Sequence, residues 1–368
     1  MTPSHTPSWL NFDVHGRLGV RVARSAPTAR QLQTMLGCFG TRDEVPPDIV
    51  VTRGSRPHPE AAWLEHEFSY TEHALALPGE RVEVERVPDG RWRISGPGEL
   101  LTSLVPILDR CLVDRGVAMI HAATVAYRGS GIALPAAGGT GKTSVIAKLT
   151  RRPDFAFMGD DWAFLDDDGN LLGFEKPMFI KPHHRPIYPH LFNGARKPLV
   201  PKTLSRPIGR LTTLVHPYVV RYPWLADVSR RWSPEHRIVS PRRALPQAQF
   251  AASARLAAAV YLERYDGART RLLERDSGWM VDRMIGNFHI EMAGFSQRLV
   301  TALGAASLAP LPQHFQDKAN VLEKALAGTP CYVLRVPTVY DADTASNDIV
   351  SVLDDLLPAV TPLPEPGG

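Results

Sequence analysis

The octapeptide Ala136 to Thr143, AAGGTGKT, constrains this 368-residue chain more than any other stretch. An apolar run, GIALPA, leads into it, and the residues from Gly138 to Lys148 open a helix. Gly138, Gly139 and Gly141 let backbone N–H groups approach an oxyanion with no Cβ in the way. The helix N-terminus beyond adds partial positive charge. This is the phosphate-binding loop pattern with Ala in place of its first Gly, and strand, loop and helix in that order place it in an α/β fold. Gly138, Gly139, Thr140, Gly141, Lys142 and Thr143 are therefore the candidate contacts for ATP. Lys142 is expected to bridge the β- and γ-phosphates and the Thr143 hydroxyl to ligand Mg²⁺. A small-residue turn between strand and helix is the plainer alternative.

A loop of this kind binds nucleotide without deciding what happens to the γ-phosphate. The next strand carries the chemistry. FAFMGDDWAFLDDDGNLLGF has an apolar run ending at Met158-Gly159, then Asp160-Asp161, then a second apolar run. Paired carboxylates at the end of a buried strand are costly unless they meet a cation. Mg²⁺ carried by ATP supplies one and suits hard carboxylate oxygens, so one Asp can hold metal while the other accepts a proton from an attacking hydroxyl. Asp166, Asp167 and Asp168 precede Gly169 and are expected to be solvated turn residues.

Elsewhere, Arg81 to Gly96 alternates polar and apolar residues around Pro-Asp-Gly, the pattern of a hairpin. Glu99 to Arg115 has apolar residues at helical spacing, with Gly116 placed to stop the helix. VAMIHAATVAY and GIALPAAGG suit two buried strands with a tight connection at Arg128-Gly129-Ser130. A composition of 44% hydrophobic and 22% charged residues excludes global disorder. No apolar run nears the roughly 20 residues needed to cross a bilayer, and the first residues lack a basic segment followed by an apolar one. Cys38, Cys111 and Cys331 are too few and too far apart for a disulfide framework or a thiolate cage. These features lead to an expectation of a cytoplasmic protein with no membrane partner.

Charge is unevenly spread. From Lys176 to Arg243, 14 Lys or Arg stand against Asp227 and Glu235, while the whole chain carries only +4, so the remainder is net acidic. The same stretch holds 11 of the 33 prolines, which argues against long helices and for an extended, loop-rich insertion at 176–243. A charge run is ordinarily a solvated face. Its place just after the Asp pair gives it a second reading: Lys181, His183, His184 and Arg185 stand where an anionic acceptor could meet them.

Taken together, IHAATVAYRGSGIALPAAGGTGKTSVIAKL and FMGDDWAFL resemble the kinase core of HPr kinase/phosphorylase and its relatives, which share a nucleotide-binding fold with phosphoenolpyruvate carboxykinase. In that family a His opens the strand before the loop, the loop ends in Gly-Lys-Ser/Thr, and an Asp-Asp pair follows. The matching positions are His121, Gly141-Lys142-Thr143 and Asp160-Asp161. The resemblance implies that Asp160 is the general base, that Asp161 and Thr143 bind metal, and that His121 lies beside the transferred phosphate. From the residues alone, His121 reads equally as a packed core histidine. The likeness is good over residues 100–175 and looser over 245–357, where RLAAAVYLERYDGARTRLLERD looks like strand, turn and strand. The signature for phosphorolysis is not matched, and the relatives without it are mostly kinases of biosynthetic clusters, some acting on a peptide serine.

The domain organisation that follows is an accessory α/β domain at 1–98 and an HPr-kinase-like P-loop domain at 99–368 carrying the basic insertion. The expected activity is transfer of the γ-phosphoryl group of ATP, with Mg²⁺, to a hydroxyl of a peptide or a small, anionic metabolite. Catalytic residues are Asp160, Lys142 and His121. A homo-oligomer is compatible with the resemblance, since HPr kinases are hexamers. The competing reading is a regulatory P-loop protein with slow ATPase activity whose basic segment docks nucleic acid; no helix-turn-helix, zinc or RNP signature supports it, so a nucleic-acid partner is not expected. A carboxykinase-like enzyme would need a further metal site and a carboxylate clamp, for which no residues are found.

Overall fold

The computed structural model describes residues 8–54, 61–64, 67–79, 81–96, 100–180, 184–192, 237–292 and 294–360. It is a mixed α/β protein that divides into two compact units, residues 1–176 with 247–368, and Pro177–Pro246.

The first unit holds two nine-stranded sheets. The first sheet is built from β1 (Trp9–Val14), β2 (Leu18–Ala23), β3 (Gly40–Thr41), β4 (Ile49–Thr52), β5 (Ala62–Leu64), β6 (Phe68–Tyr70), β7 (Ala74–Leu77), β8 (Val82–Arg86) and β9 (Trp92–Ser95), in the order β3-β1-β2-β4-β9-β8-β7-β6-β5. Period-two burial in β1, with Leu10, Phe12 and Val14 inside, marks a strand with one face on the core. β8 and β9 form the expected hairpin, closed by Gly90 N–H to Val87 O and Val87 N–H to Arg91 O. Helix α1 (Ala29–Met35) and a 3₁₀ turn at Gly37–Phe39 interrupt the sheet in sequence.

α2 (Leu100–Val113) joins the two sheets in one core. Its Leu104, Ile107, Leu108 and Leu112 pack with Val84, Trp92 and Ile94 of the first sheet and with Met119 and Phe164 of the second. In the second sheet β10 (Val117–Tyr127) is buried at all eleven positions and pairs with three neighbours. Those neighbours are β11 (Ser130–Pro135), β12 (Phe155–Gly159) and β13 (Trp162–Asp166). α3 (Lys142–Leu149) follows β11, and β14 (Asn170–Leu172) follows β13.

Within the second unit β15 (Met178–Ile180) pairs antiparallel with β16 (Arg237–Val239), and the short helices α4 (Pro189–Phe192) and α5 (Pro241–Ala244) flank them. The basic stretch counted from Lys176 coincides with this unit except at its start and end: Lys176 belongs to the first.

The chain returns to the second sheet as β17 (Gln249–Phe250), β18 (Ser253–Tyr265) and β19 (Arg271–Arg275), the last two being the expected strand, turn and strand. α6 (Ser277–Glu291), α7 (Gly294–Ala305), α8 (Leu311–Ala325), β20 (Cys331–Pro337) and α9 (Ala342–Val360) complete the order. β11 pairs antiparallel with β10 and parallel with β18, while β13 and β14 link the same two strands from the other side. Five strands therefore close into a ring, and the glycine-rich loop at Ala137–Gly141 leaves from its end.

Asp166 corrects an expectation. It is buried rather than solvated: its carboxylate accepts from Asn170 N–H (2.7 Å) and Asn170 Nδ2 (3.0 Å) and lies 3.6 Å from Arg17 in the turn between β1 and β2. All three cysteines are free thiols. Among the described residues no helix is long and apolar enough to cross a membrane.

Candidate active site

β11 delivers Ala136, buried and bridged to Leu262 of β18, and the chain then turns outward so that Ala137, Gly138 and Gly139 are exposed. Gly139 and Gly141 have φ of +81° and +107°, backbone that a side chain would strain. Gly141 caps α3, so the N-terminus of that helix, with the N–H groups of its first turn, lies at the loop. Thr140 Oγ1 donates to Ala137 O (2.9 Å) and tightens the turn. Lys142 is 5% exposed, and its Nζ donates to Ala136 O (2.5 Å) and Ala137 O (3.1 Å), carbonyls of its own loop. Burial pushes its pKa down, against the pull of Asp161, Asp160 and Glu291.

Strand β12 ends where a Cβ on Gly159 would meet Trp162 O at 2.9 Å and Thr124 Oγ1 at 3.0 Å, so the approach to the Asp pair needs glycine. Asp160 follows, 4% exposed. Its Oδ2 accepts from Thr143 Oγ1 (2.9 Å), and its Oδ1 is buried with no hydrogen-bond partner among the described residues. Burial, then the charge of Asp161, pushes its pKa up to about 6. Asp161 turns through φ +83°, a conformation Asp tolerates better than most, and its carbonyl accepts from Ala122 N–H (3.0 Å). That bond sets Asp161 beside His121, whose Nε2 lies 3.5 Å from Oδ1, while Lys176 Nζ donates to Oδ2 (2.7 Å). Burial opposes ionisation of Asp161, but the His121 bond and the Lys176 charge outweigh it and hold the carboxyl far below its ordinary range.

The predicted residues His121, Lys142, Thr143, Asp160 and Asp161 thus meet at one end of the central ring. The resemblance grouped Thr143 with Asp161, whereas the hydroxyl bonds to Asp160. Of the residues suggested for an anionic acceptor, Lys181 and His183 lie outside the described residues. His184 and Arg185 belong to the second unit, where His184 is buried 6.4 Å from the Tyr188 ring and the exposed Arg185 guanidinium stands 5.2 Å over Phe192.

Three residues at the site were not foreseen. Lys176, buried and 4.8 Å over the Trp162 ring, had been counted into the basic stretch. α6 supplies the other two, one turn apart: Asn287, whose Nδ2 reaches His121 O (2.9 Å) and Nδ1 (3.3 Å), and Glu291, whose Oε1 accepts from Gly138 N–H (2.5 Å). No sequence pattern ties this helix to the loop. The Asn and Glu four apart would have shown only that they share a face.

Among the described residues no group of three or more His, Cys, Asp or Glu could hold a metal on its own. Mg²⁺ requires less than that, since it commonly binds one or two carboxylates plus phosphate oxygens. The hydroxyl of Thr143 and the ionised Asp161 are hard oxygen donors of the kind that fits it, and Asp160 accepts from that same hydroxyl. No protein-family model matches the sequence, and no curated protein does.

Proposed function

We propose that the chain is an ATP-dependent phosphotransferase, built on an HPr-kinase-like P-loop fold, that moves the γ-phosphoryl group to a hydroxyl of a peptide or small metabolite. The observation that carries this reading is Asp160: a fully buried carboxylate oxygen with no partner among the described residues, at the foot of the glycine-rich loop and one hydrogen bond from its Thr. A charge kept in that state is costly unless the site meets a cation and a reacting group.

In this reading the loop amides and the α3 N-terminus bind and orient the phosphates. Glu291 gives up the Gly138 N–H to a phosphate oxygen, because two anions cannot share one donor. Lys142 Nζ leaves the loop carbonyls for the β/γ-phosphates. Mg²⁺, held by Thr143 and Asp161, would neutralise charge on the phosphoryl oxygens. As the acceptor oxygen bonds to phosphorus and the bond to ADP breaks, the hydroxyl proton passes to Asp160. Asp161, kept ionised by Lys176 and His121, cannot take that proton as readily.

The test is incubation with labelled ATP and either hydroxyl-bearing peptides or a metabolite extract, followed by mass spectrometry. A phosphate adduct that requires Lys142 is expected. Release of free phosphate with no adduct from any acceptor would favour the slow-ATPase regulator instead.

A further inference from the structure

We infer that Asn287 is a positioning residue that fixes the tautomer of His121, placing the imidazole proton on Nε2 and aiming it at Asp161. The inference rests on the phosphotransferase reading for its consequence, but its geometry stands apart from it. Asn287 and His121 are 5% and 4% exposed, so no bulk water competes for their polar atoms. One atom of Asn287, Nδ2, meets two atoms of His121, the main-chain O at 2.9 Å and the ring Nδ1 at 3.3 Å.

An amide side chain can usually be turned over, exchanging N for O. Here it cannot. The His121 carbonyl is an acceptor only, so the group facing it must be the NH₂. The second N–H of that NH₂ then points at Nδ1, which must accept. An imidazole that accepts at Nδ1 carries its proton on Nε2, and Nε2 is the atom 3.5 Å from Asp161 Oδ1. The run Asn287, His121, Asp161 is therefore directional: Asn287 donates to His121, and the Nε2–H this leaves faces the Asp161 carboxylate at 3.5 Å. Lys176 donates to Oδ2 while the Nε2–H faces Oδ1, so the carboxylate has a positive or proton-bearing neighbour on each side and its plane is held beside Asp160. Without Asn287 the ring could flip or move its proton to Nδ1, and Nε2 would then turn a lone pair toward a carboxylate.

The test is a ¹H–¹⁵N spectrum of the histidine-labelled full chain at mildly alkaline pH, with His121 assigned by its loss in His121→Gln. The two ring nitrogens are told apart by their couplings to the ring protons. Wild type is expected to show a protonated Nε2 and a bare Nδ1; a protonated Nδ1 would overturn the inference with no variant needed. Asn287→Asp keeps the shape but removes the donor. It is expected to shift both His121 nitrogens and to lower kcat about 10-fold with ATP KM little changed, the usual cost of losing a group that orients a site residue. In the His121→Ala background the same change should cost no further activity. Unmoved His121 resonances, or moved resonances with unchanged kcat, would remove Asn287 from this role. If no acceptor is ever phosphorylated, the spectrum still decides the tautomer, so failure of the inference and failure of the phosphotransferase reading remain separable.

Discussion

Asp109 and Asp160 are both buried carboxylates in the first unit, each near lysine and histidine, yet they are treated in opposite ways. Asp109, on α2, is 1% exposed and has every acceptor position used. Lys318 Nζ donates to both oxygens (2.8 and 2.9 Å), His314 Nε2 lies 3.1 Å from Oδ2, and Met119 N–H donates to Oδ1 (3.2 Å). Burial opposes its charge, but Lys318 and then His314 more than offset that, and its pKa is lowered. Asp160 has Thr143 on one oxygen, no partner on the other among the described residues, and a second carboxylate next door, and its pKa is raised. The same residue types thus build a closed ion cluster that ties α2 to α8 and one that is left incompletely satisfied among the described residues. What separates structure from chemistry here is satisfaction of the polar atoms, which composition does not reveal.

Changes at the two sites should separate accordingly. The largest effect is expected from Asp109→Ala, which strands Lys318 in the core: about 3–5 kcal/mol of unfolding free energy, measured by denaturant titration. A loss under about 1 kcal/mol would mean that the closed cluster is held by something else. Lys142→Ala should lower turnover about 10²- to 10³-fold, because it removes a preorganised charge from the phosphates, with little change in unfolding free energy. Retention of more than about a tenth of wild-type turnover would contradict this role.

The Asp pair sharpens the contrast. Asp160→Asn should keep Mg-ATP affinity, lose about 10² in kcat, and leave the protein as stable or more so, since a buried charge without a partner is removed. Asp161→Asn should instead raise the Mg²⁺ concentration needed for half-maximal activity about 10-fold, read by calorimetry with and without the metal. Equal loss of nucleotide affinity in both would show that the two roles are shared, as the Thr143–Asp160 bond allows.

The smallest expected effect is a matter of pH. Because the folded pKa of Asp109 lies below its ordinary value near 3.9, its contribution is fully present above that value and is lost as pH falls through the folded one. Stability should therefore drop in acid more steeply for the wild type than for Asp109→Asn, in unfolding curves collected across that range.

Much of the site was legible because it is local. The loop, the strand before it and the Asp pair lie within about 30 residues, and β10, β11, α3 and β12 form where their apolar patterns place them. What was missed comes from far along the chain. Asn287 and Glu291 act on residues more than 150 positions away, and on a helix they read as ordinary polar surface. Lys176 vanished into a charge count although its burial sets it apart from that run. An Asp-Gly turn predicts a solvent-facing Asp166, but Arg17, from the distant turn between β1 and β2, lies over it. Periodicity and motifs describe a segment, and each of these roles depends on a partner that the segment does not contain.

α6 touches both clusters with consecutive residues. Asn287 grips His121, and Phe288 presents its ring 3.6 Å from Lys318 Nζ. Neighbours on a helix point about 100° apart, so these two grips lie on different sides of the axis and together fix its angle of roll. At a side-chain radius of about 5–6 Å, a roll of about 10° would carry the Asn287 and Glu291 tips roughly 1 Å. A misplacement of that size is enough to cost about 10²-fold in rate. The Lys318 ammonium, which bonds Asp109 and no residue of the loop, thereby sets the roll of the helix that holds the His121 imidazole.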